Sequence, residues 1–251
     1  MTKIEPEPHP SDRAWRGPAH WLGGWKGAFA AALLGALAGG GLVSLWSGPL
    51  VRAAIMRDPE MIPEAMQHLR DREAAEVVNA NRAALETPFA GAWTGAKGGD
   101  VVVVEFFDYA CPFCRKTNAD VDRLLRGDPK LKLVWREWPV LGPDSDAAAE
   151  ISLAAAAQGR FRPFHDAMFE TGRPTPANLE TARRTAGISP LAIAQVRASP
   201  AAAQELARNY QLARALNASG TPTFVIGDRI LQGAVGYDAL KAAVVQARAR
   251  G

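Results

Sequence analysis

Residues 101–114 read VVVVEFFDYACPFC and are the most informative part of the chain about its fold. Residues 101–107 are β-branched or aromatic almost throughout, which is typical of a strand buried on both faces. After Cys114 the chain becomes polar, with apolar residues spaced along one face of a helix. The sequence therefore predicts a Cys-x-x-Cys pair at the point where a buried strand ends and a helix begins.

The position of the two cysteines carries the chemistry. Pro112 suits the first turn of a helix, where its missing N–H leaves no hydrogen bond unmade. Cys111 then lies at the helix N-terminus, where free backbone amides and the helix dipole favour a negative charge. The pKa of its thiol is therefore expected to be low. Cys114, one turn further on, is predicted to face inward and to close the disulfide, so the pair is a reversible two-electron switch.

Two other uses of a Cys-x-x-Cys pair fit the sequence less well. Structural zinc usually needs four Cys or His ligands, but the chain has two cysteines and four scattered histidines. One of these, His165, has no second ligand nearby in sequence, which favours a packed or surface residue. A purely structural disulfide is disfavoured because so short a loop removes little chain entropy. Redox activity is the preferred interpretation, and no metal site is predicted.

A second motif lies far downstream. Residues 220–227 read GTPTFVIG, a loop that enters a short strand, and Pro222 at its mouth is a candidate cis-proline. VVEFFDYACPFC, followed by SGTPTFVIG and a final helix, resembles the DsbA-type thioredoxin-fold disulfide oxidoreductases over residues 87–251. The resemblance implies an α/β thioredoxin fold with a helical insertion at about 142–218. Residues 131–140 alternate well enough to predict a second long strand of that fold.

The resemblance also implies the catalytic roles. Cys111 is the nucleophile, Cys114 is the resolving cysteine, and Pro222 is the cis-proline beside the disulfide. Glu105 corresponds to the buried acid that relays protons to Cys114. No cofactor is implied.

The predicted substrate-binding residues are Pro112, Phe113, Thr221 and Pro222. The loop at Thr221 and Pro222 offers backbone groups to an extended substrate strand, and Phe113 is expected to contact unfolded substrates. Pro112 and Phe113 replace the histidine-containing dipeptide of strongly oxidising members, which removes one stabiliser of the thiolate. Together with Thr221 before the proline, this favours an isomerase or reductase slightly over a dedicated strong oxidase, and the direction stays open.

The N-terminal part predicts a membrane anchor. Residues 1–26 are polar and rich in proline and charge, which favours a disordered cytoplasmic tail. Residues 27–49 carry no charge and exceed the ~20 residues that cross a bilayer, with tryptophans near both ends. Basic residues precede the segment, so everything after it is expected in the periplasm. An uncleaved signal anchor is preferred over a cleaved signal peptide because the charged lead is long.

Residues 50–86 are predicted to form a helical stalk or an oligomerisation segment. Ile62, Met66 and Leu69 fall at helical spacing and make a thin apolar stripe. This arrangement resembles the N-terminal extension of the suppressor-of-copper-sensitivity branch of the family, some of whose members are oligomeric isomerases. So narrow a stripe suits packing on lipid, on another copy or on the catalytic domain, so a homo-oligomer is one of the open alternatives.

The predicted function is disulfide exchange at the periplasmic face of a bacterial inner membrane. The expected partners are unfolded or partly folded exported proteins with cysteines, and a membrane redox partner that resets the dithiol. Nucleic acid is not suggested, because the net charge is only +3 and the basic residues form no long cluster. An alternative is a copper(I)-binding or copper-delivery module, since a dithiolate suits soft Cu(I). No Met or His cluster near Cys111 supports that alternative.

Overall fold

The computed structural model describes residues 29, 32, 33, 35 and 48–250. The predicted tail at 1–26 and most of the predicted membrane segment at 27–49 lie outside these residues. Among the residues that are described, no helix is both long and apolar enough to cross a membrane. The chain divides into two compact units, Met1–Ala65 and Met66–Gly251. In the described part of the first unit, residues 48–57 are helical.

From residue 61 onward the helices and strands follow one another in a mixed order. They are α1 (Met61–Glu86), β1 (Trp93–Gly95), β2 (Val101–Phe107), α2 (Pro112–Gly127), β3 (Leu131–Glu137), α3 (Pro143–Ala157), α4 (Phe161–Thr171), α5 (Pro176–Thr185), α6 (Pro190–Ala198), α7 (Pro200–Ala215), β4 (Thr223–Ile226), β5 (Arg229–Gln232) and α8 (Tyr237–Arg250). Local sequence sets several helix starts. Thr175, Ser189 and Ser199 are N-caps whose side chains accept a backbone amide of the first turn, and each is followed by proline.

The strands form one sheet in the order β1-β3-β2-β4-β5. The central strand β2 runs parallel to β3 and antiparallel to β4, while β1 and β5 are antiparallel to their neighbours at the edges. The α/β thioredoxin-like fold is thereby confirmed, and the helices α3 to α7 are inserted between β3 and β4.

Strand β2 is buried on both faces because each face meets a different layer of helices. Val103 and Phe107 belong to the larger core, which α2, α8 and most of the inserted helices complete. Val104 and Phe106 belong to a second core, to which α1 and α7 contribute. The alternation of side chains along the strand distributes these residues between the two cores.

The C-terminal half of α1 is part of the second unit rather than a free stalk. Leu85 is buried in the second core, and the buried guanidinium of Arg136 donates to the carbonyl oxygens of Ala84, Leu85 and Thr87. These bonds satisfy carbonyls that the end of a helix leaves without intrahelical partners. Arg136 also pairs with Glu205 of α7 at 2.6 Å, so one residue of β3 joins two helices to the sheet.

The second predicted strand is shorter than expected. β3 ends at Glu137 rather than at residue 140, and Pro139 follows, which has no N–H for a sheet ladder. The last link to β2 is a hydrogen bond from the Trp138 amide to the Phe107 carbonyl oxygen, at 2.9 Å.

Candidate active site

The end of β2 and the start of α2 hold the two cysteines. The chain leaves β2 at Phe107, turns through residues 108–111, and begins α2 at Pro112. Cys111 is the N-cap of α2, with extended backbone angles (φ −78°, ψ 118°), and proline follows in the first turn. The amide of Cys111 donates to the carbonyl oxygen of Asp108 at 3.0 Å, which closes the turn. The sulfur of Cys111 therefore lies at the N-terminus of α2, where the first backbone amides of the helix have no partner within the helix.

The two sulfurs have opposite acidities. The pKa of Cys111 is lowered to about 5, first because the Cys114 thiol donates a hydrogen bond to it, and further by the side chain of Thr221 and the amides of Phe113 and Cys114. The pKa of Cys114 is raised far above its usual range, mainly by burial. Cys111 keeps 4% of its surface exposed and Cys114 none, so the more acidic cysteine is also the more accessible one.

The second motif lies directly beside the first cysteine. β4 pairs with β2 so that Thr223 lies opposite Phe106, which brings the preceding loop to the end of β2. The Thr221-Pro222 peptide bond is cis, and Sγ of Cys111 lies 3.2 Å from the carbonyl oxygen of Thr221, to which it donates when it is protonated. The fold thus joins two motifs that lie 110 residues apart.

Glu105 is a buried acid beneath the dithiol. Its Oε2 accepts a hydrogen bond from the indole Nε1 of Trp135 at 3.1 Å, while its Oε1 is buried without a partner. Burial raises the pKa of Glu105 to about 8, and the charges of Glu105 and Cys111 influence each other. The charge of Glu105 also raises the pKa of Cys114. The carboxyl group is therefore protonated in most molecules at neutral pH, yet can ionise near it.

The remaining predicted site residues lie at the surface. Pro112 and Phe113 are exposed, and Phe113 keeps 59% of its surface accessible. An exposed apolar ring therefore lies two residues from Cys111 in the chain.

A polar network that the sequence did not reveal lies behind the active-site turn. The hydroxyl of Tyr109 is 2.9 Å from the Ser152 hydroxyl and 3.4 Å from Nδ1 of His165. Ser152 also hydrogen-bonds Glu137, whose pKa burial raises well above its usual range. His165 is packed among aromatic rings, and burial holds its pKa well below its usual range. It is a packed residue, as the sequence favoured.

Asp108 is another site residue that could not be recognised from the sequence. Its buried carboxylate accepts hydrogen bonds from three backbone amides, on both sides of the active-site turn. The available signal was an aspartate directly after a buried strand, because aspartate often bonds the amide two residues further on.

A thioredoxin-like sheet with an acidic cysteine at a helix N-cap, a buried second cysteine and an adjacent cis-proline defines the thiol:disulfide oxidoreductases. Comparison with known proteins narrows this class. Residues 102–245 match the DSBA-like thioredoxin domain, and the chain belongs to that family. Residues 48–76 match the N-terminal domain of the copper resistance protein ScsC.

Solved structures of similar proteins agree with this assignment. A thioredoxin-like oxidoreductase from Silicibacter pomeroyi is 38% identical, with a TM-score of 0.64 over 67% of this chain and 98% of that one. A variant of Proteus mirabilis ScsC is 26% identical, with a TM-score of 0.65 over 83% and 96%. The Na⁺/H⁺ antiporter NhaA 1 of Salinispora arenicola is 32% identical over 156 residues, 61% of this chain. The match spans only 24% of that relative's length.

Proposed function

We propose that this protein is a membrane-anchored thiol:disulfide oxidoreductase that acts on exported proteins at the periplasmic face of a bacterial inner membrane. The observation that carries the proposal is the difference between the two sulfurs. Cys111, with a pKa of about 5, is a thiolate at neutral pH, whereas burial keeps Cys114 protonated. Such a pair supplies one sulfur that is already ionised and can act as the nucleophile, and a second thiol that becomes reactive only when it loses its proton.

The exchange proceeds in two steps. The Cys111 thiolate attacks a substrate disulfide, so that a bond from Cys111 to the substrate forms, the substrate S–S bond breaks, and one substrate thiolate leaves. Cys114 then loses its proton and attacks the Cys111 sulfur, which closes the protein disulfide and releases the second substrate sulfur. Two electrons have passed from the dithiol to the substrate. The same two steps in reverse order oxidise a substrate dithiol. In isomerisation, a different substrate thiolate attacks the mixed disulfide, so that a new substrate disulfide forms and the Cys111 thiolate is released.

Glu105 supports the second step as a proton relay. Cys114 is too weak an acid to ionise alone, so its proton needs an acceptor when it attacks. Glu105 is electrostatically coupled to both sulfurs and has a pKa of about 8, and its Oε1 has no other partner. Its carboxylate form takes the proton of Cys114 during substrate reduction, and its acid form returns a proton in the opposite direction.

The substrate is an extended, cysteine-containing segment of an unfolded or partly folded exported protein. Thr221 and Pro222 precede the short strand β4, and the Thr221 carbonyl oxygen lies 3.2 Å from the reactive sulfur. Backbone pairing with this loop would align a substrate strand beside Cys111. The exposed Phe113 then contacts an apolar residue next to the substrate cysteine.

The direction of transfer depends on the reduction potential. Acidity of the first thiol stabilises the reduced form, and such thiols range from a pKa of about 7 in thioredoxin to about 3.5 in DsbA. A pKa of about 5 for Cys111 lies between these. We therefore propose a potential between about −270 and −120 mV, within which isomerases also fall. A membrane redox partner would reset the dithiol after each cycle.

Residues 27–49 are proposed to anchor the protein, and the segment that follows is proposed to associate with further copies. Ile62, Met66 and Leu69 are about half exposed on α1, at helical spacing. The match of residues 48–76 to the ScsC N-terminal domain supports a dedicated module here. If residues 27–49 anchor the protein, the full chain should be extracted from membranes by detergent but not by washing without detergent. Light scattering on residues 48–251, against an Ile62→Lys variant, tests association.

A trapping experiment tests the activity. The Cys114→Ala variant retains the attacking sulfur but cannot resolve the mixed disulfide, so it should accumulate reductant-sensitive complexes with periplasmic proteins. The Cys111→Ala variant is the matched control and should trap none. If Cys114→Ala traps nothing, while the wild-type dithiol binds Cu(I) tightly, the copper alternative replaces this proposal.

A further inference from the structure

The carboxylate of Asp108 joins two segments of the chain that flank the reactive sulfur. Its Oδ1 accepts a hydrogen bond from the Ala110 amide at 2.8 Å, within the turn that leads to Cys111. Its Oδ2 accepts from the amides of Val140 and Leu141, at 2.9 and 3.0 Å, in the turn between β3 and α3. Asp108 is 1% exposed, so water has little access to its carboxylate oxygens.

The main chain of Asp108, by contrast, holds the sulfurs. Its carbonyl oxygen accepts the Cys111 amide at 3.0 Å, and its N–H is hydrogen-bonded to the sulfur of Cys114. Both contacts are made by backbone atoms, so we expect a change of the side chain alone to leave them in place. The position of the dithiol therefore depends mainly on backbone bonds, with one added bond from the Ala110 amide to Oδ1, whereas Oδ2 holds the amides of both Val140 and Leu141.

That turn presents apolar side chains to solvent. Val140 is 40% exposed and Leu141 is 51% exposed, although their amides are bonded inward to Asp108. The preceding residue is also fixed, because the Tyr210 hydroxyl donates to the carbonyl oxygen of Pro139. The turn is thus held by hydrogen bonds to Asp108 and from Tyr210. Its two exposed apolar residues form a preorganised contact surface rather than a mobile loop.

We propose that Asp108 is a positioning residue, which fixes the position of Val140 and Leu141 relative to Cys111. The two side chains then bind an apolar side chain next to the substrate cysteine. The proposal rests on the proposed exchange reaction and deepens it by assigning a determinant of substrate preference. Loss of the carboxylate should leave the sulfurs in place but let the 140–141 turn drift, which weakens binding of a peptide and spares a disulfide too small to reach the turn.

The test compares two substrates, oxidised glutathione and a peptide disulfide with leucines beside its cysteine. In Asp108→Asn, an amide N–H₂ faces at least one of the three backbone donors in place of a carboxylate oxygen. We expect kcat/KM for the peptide to fall about tenfold, mostly through KM, as for the loss of one small apolar contact. With glutathione the change should stay below about threefold. Asp144→Asn, an exposed acid at the start of α3, is the control and should match the wild type on both substrates.

A double-mutant cycle separates positioning from general destabilisation. Val140→Ser combined with Leu141→Ser should reproduce the loss on the peptide, and adding Asp108→Asn should deepen it by less than about twofold, because the effects share one surface. Equal losses on both substrates, or additive losses in the combined variant, would overturn the proposal. If Asp108→Asn does not fold, the serine variant alone decides, and an unchanged KM for the peptide would refute the contact surface. Failure of the wild type with glutathione would instead refute the exchange reaction.

Discussion

Replacing Glu105 by Gln should change how stability depends on pH. The pKa of Glu105 is raised from an ordinary 4.5 to about 8 by burial, so the folded protein holds a proton that the unfolded chain releases above pH 4.5. Stability from this group is fully present below pH 4.5 and is lost as the pH rises towards 8. At about 1.4 kcal/mol per unit, the loss between pH 5 and 8 approaches 4 kcal/mol.

Cys111 acts in the opposite direction over much of the same range. Its pKa is lowered from 9.0 to about 5, so its contribution to stability is present above pH 9 and is lost as the pH falls towards 5. The two groups partly cancel in the wild type, which would therefore show a shallow profile. Both proteins contain Cys111, so its contribution cancels when the free energy of unfolding of the wild type is subtracted from that of Glu105→Gln. The remaining pH dependence is that of Glu105.

The assay is urea unfolding of the reduced protein at pH 5, 6, 7 and 8, with a reductant that works across this range. The stability of Glu105→Gln relative to the wild type should rise by about 1.4 kcal/mol per pH unit. The amide's own hydrogen bonds add only a constant offset. Glu170→Gln, at an exposed position on α4, should run parallel to the wild type. Parallel curves for Glu105→Gln as well would refute a raised pKa for this acid and weaken its role as a proton relay.

Three further predictions concern catalysis, the redox potential and the fold. Glu105→Gln should slow the resolution step at pH 7 about a hundredfold, seen as a long-lived mixed disulfide in rapid-quench experiments, whereas an unaltered rate would exclude proton transfer through this residue. Phe113→His should lower the pKa of Cys111 by about one unit and raise the potential by about 30 mV, measured against glutathione; no shift in either would contradict the link between thiolate stability and oxidising power. Glu205→Ala removes the ion-pair partner of the buried Arg136 and should lower the free energy of unfolding by about 3–5 kcal/mol. The control Glu150→Ala, at an exposed ion pair, should lower it by less than about 1 kcal/mol. Equal losses in the two variants would argue against the buried network.

The sequence predicted the parts of the site that depend on local patterns. The apolar run at 101–107 identified the central strand because it is buried on both faces, and Cys111 with Pro112 identified the helix start. The resemblance added the pairing of Pro222 with Cys111, which the structure shows through the contact at Thr221. These features could be predicted because each depends on residues adjacent in the chain or on a motif of fixed order.

The rest depends on contacts between distant residues. Nothing near Asp108 in the chain indicates that its carboxylate binds amides 32 and 33 residues away. Likewise, the thin apolar stripe of α1 does not reveal that Leu85 is buried against the sheet, because Arg136 and Glu205 lie far downstream. Burial of a polar group is decided by the tertiary structure, and so are the pKa shifts that follow from it.

Titration of the Cys111 thiol tests the central claim most directly. Cys114 does not ionise in the accessible range, so the thiolate absorbance of the reduced wild type near 240 nm reports on Cys111 alone, with alkylation rates as a second readout. We expect a midpoint at about pH 5. A midpoint between about 8 and 9, as for an ordinary free cysteine, would contradict it.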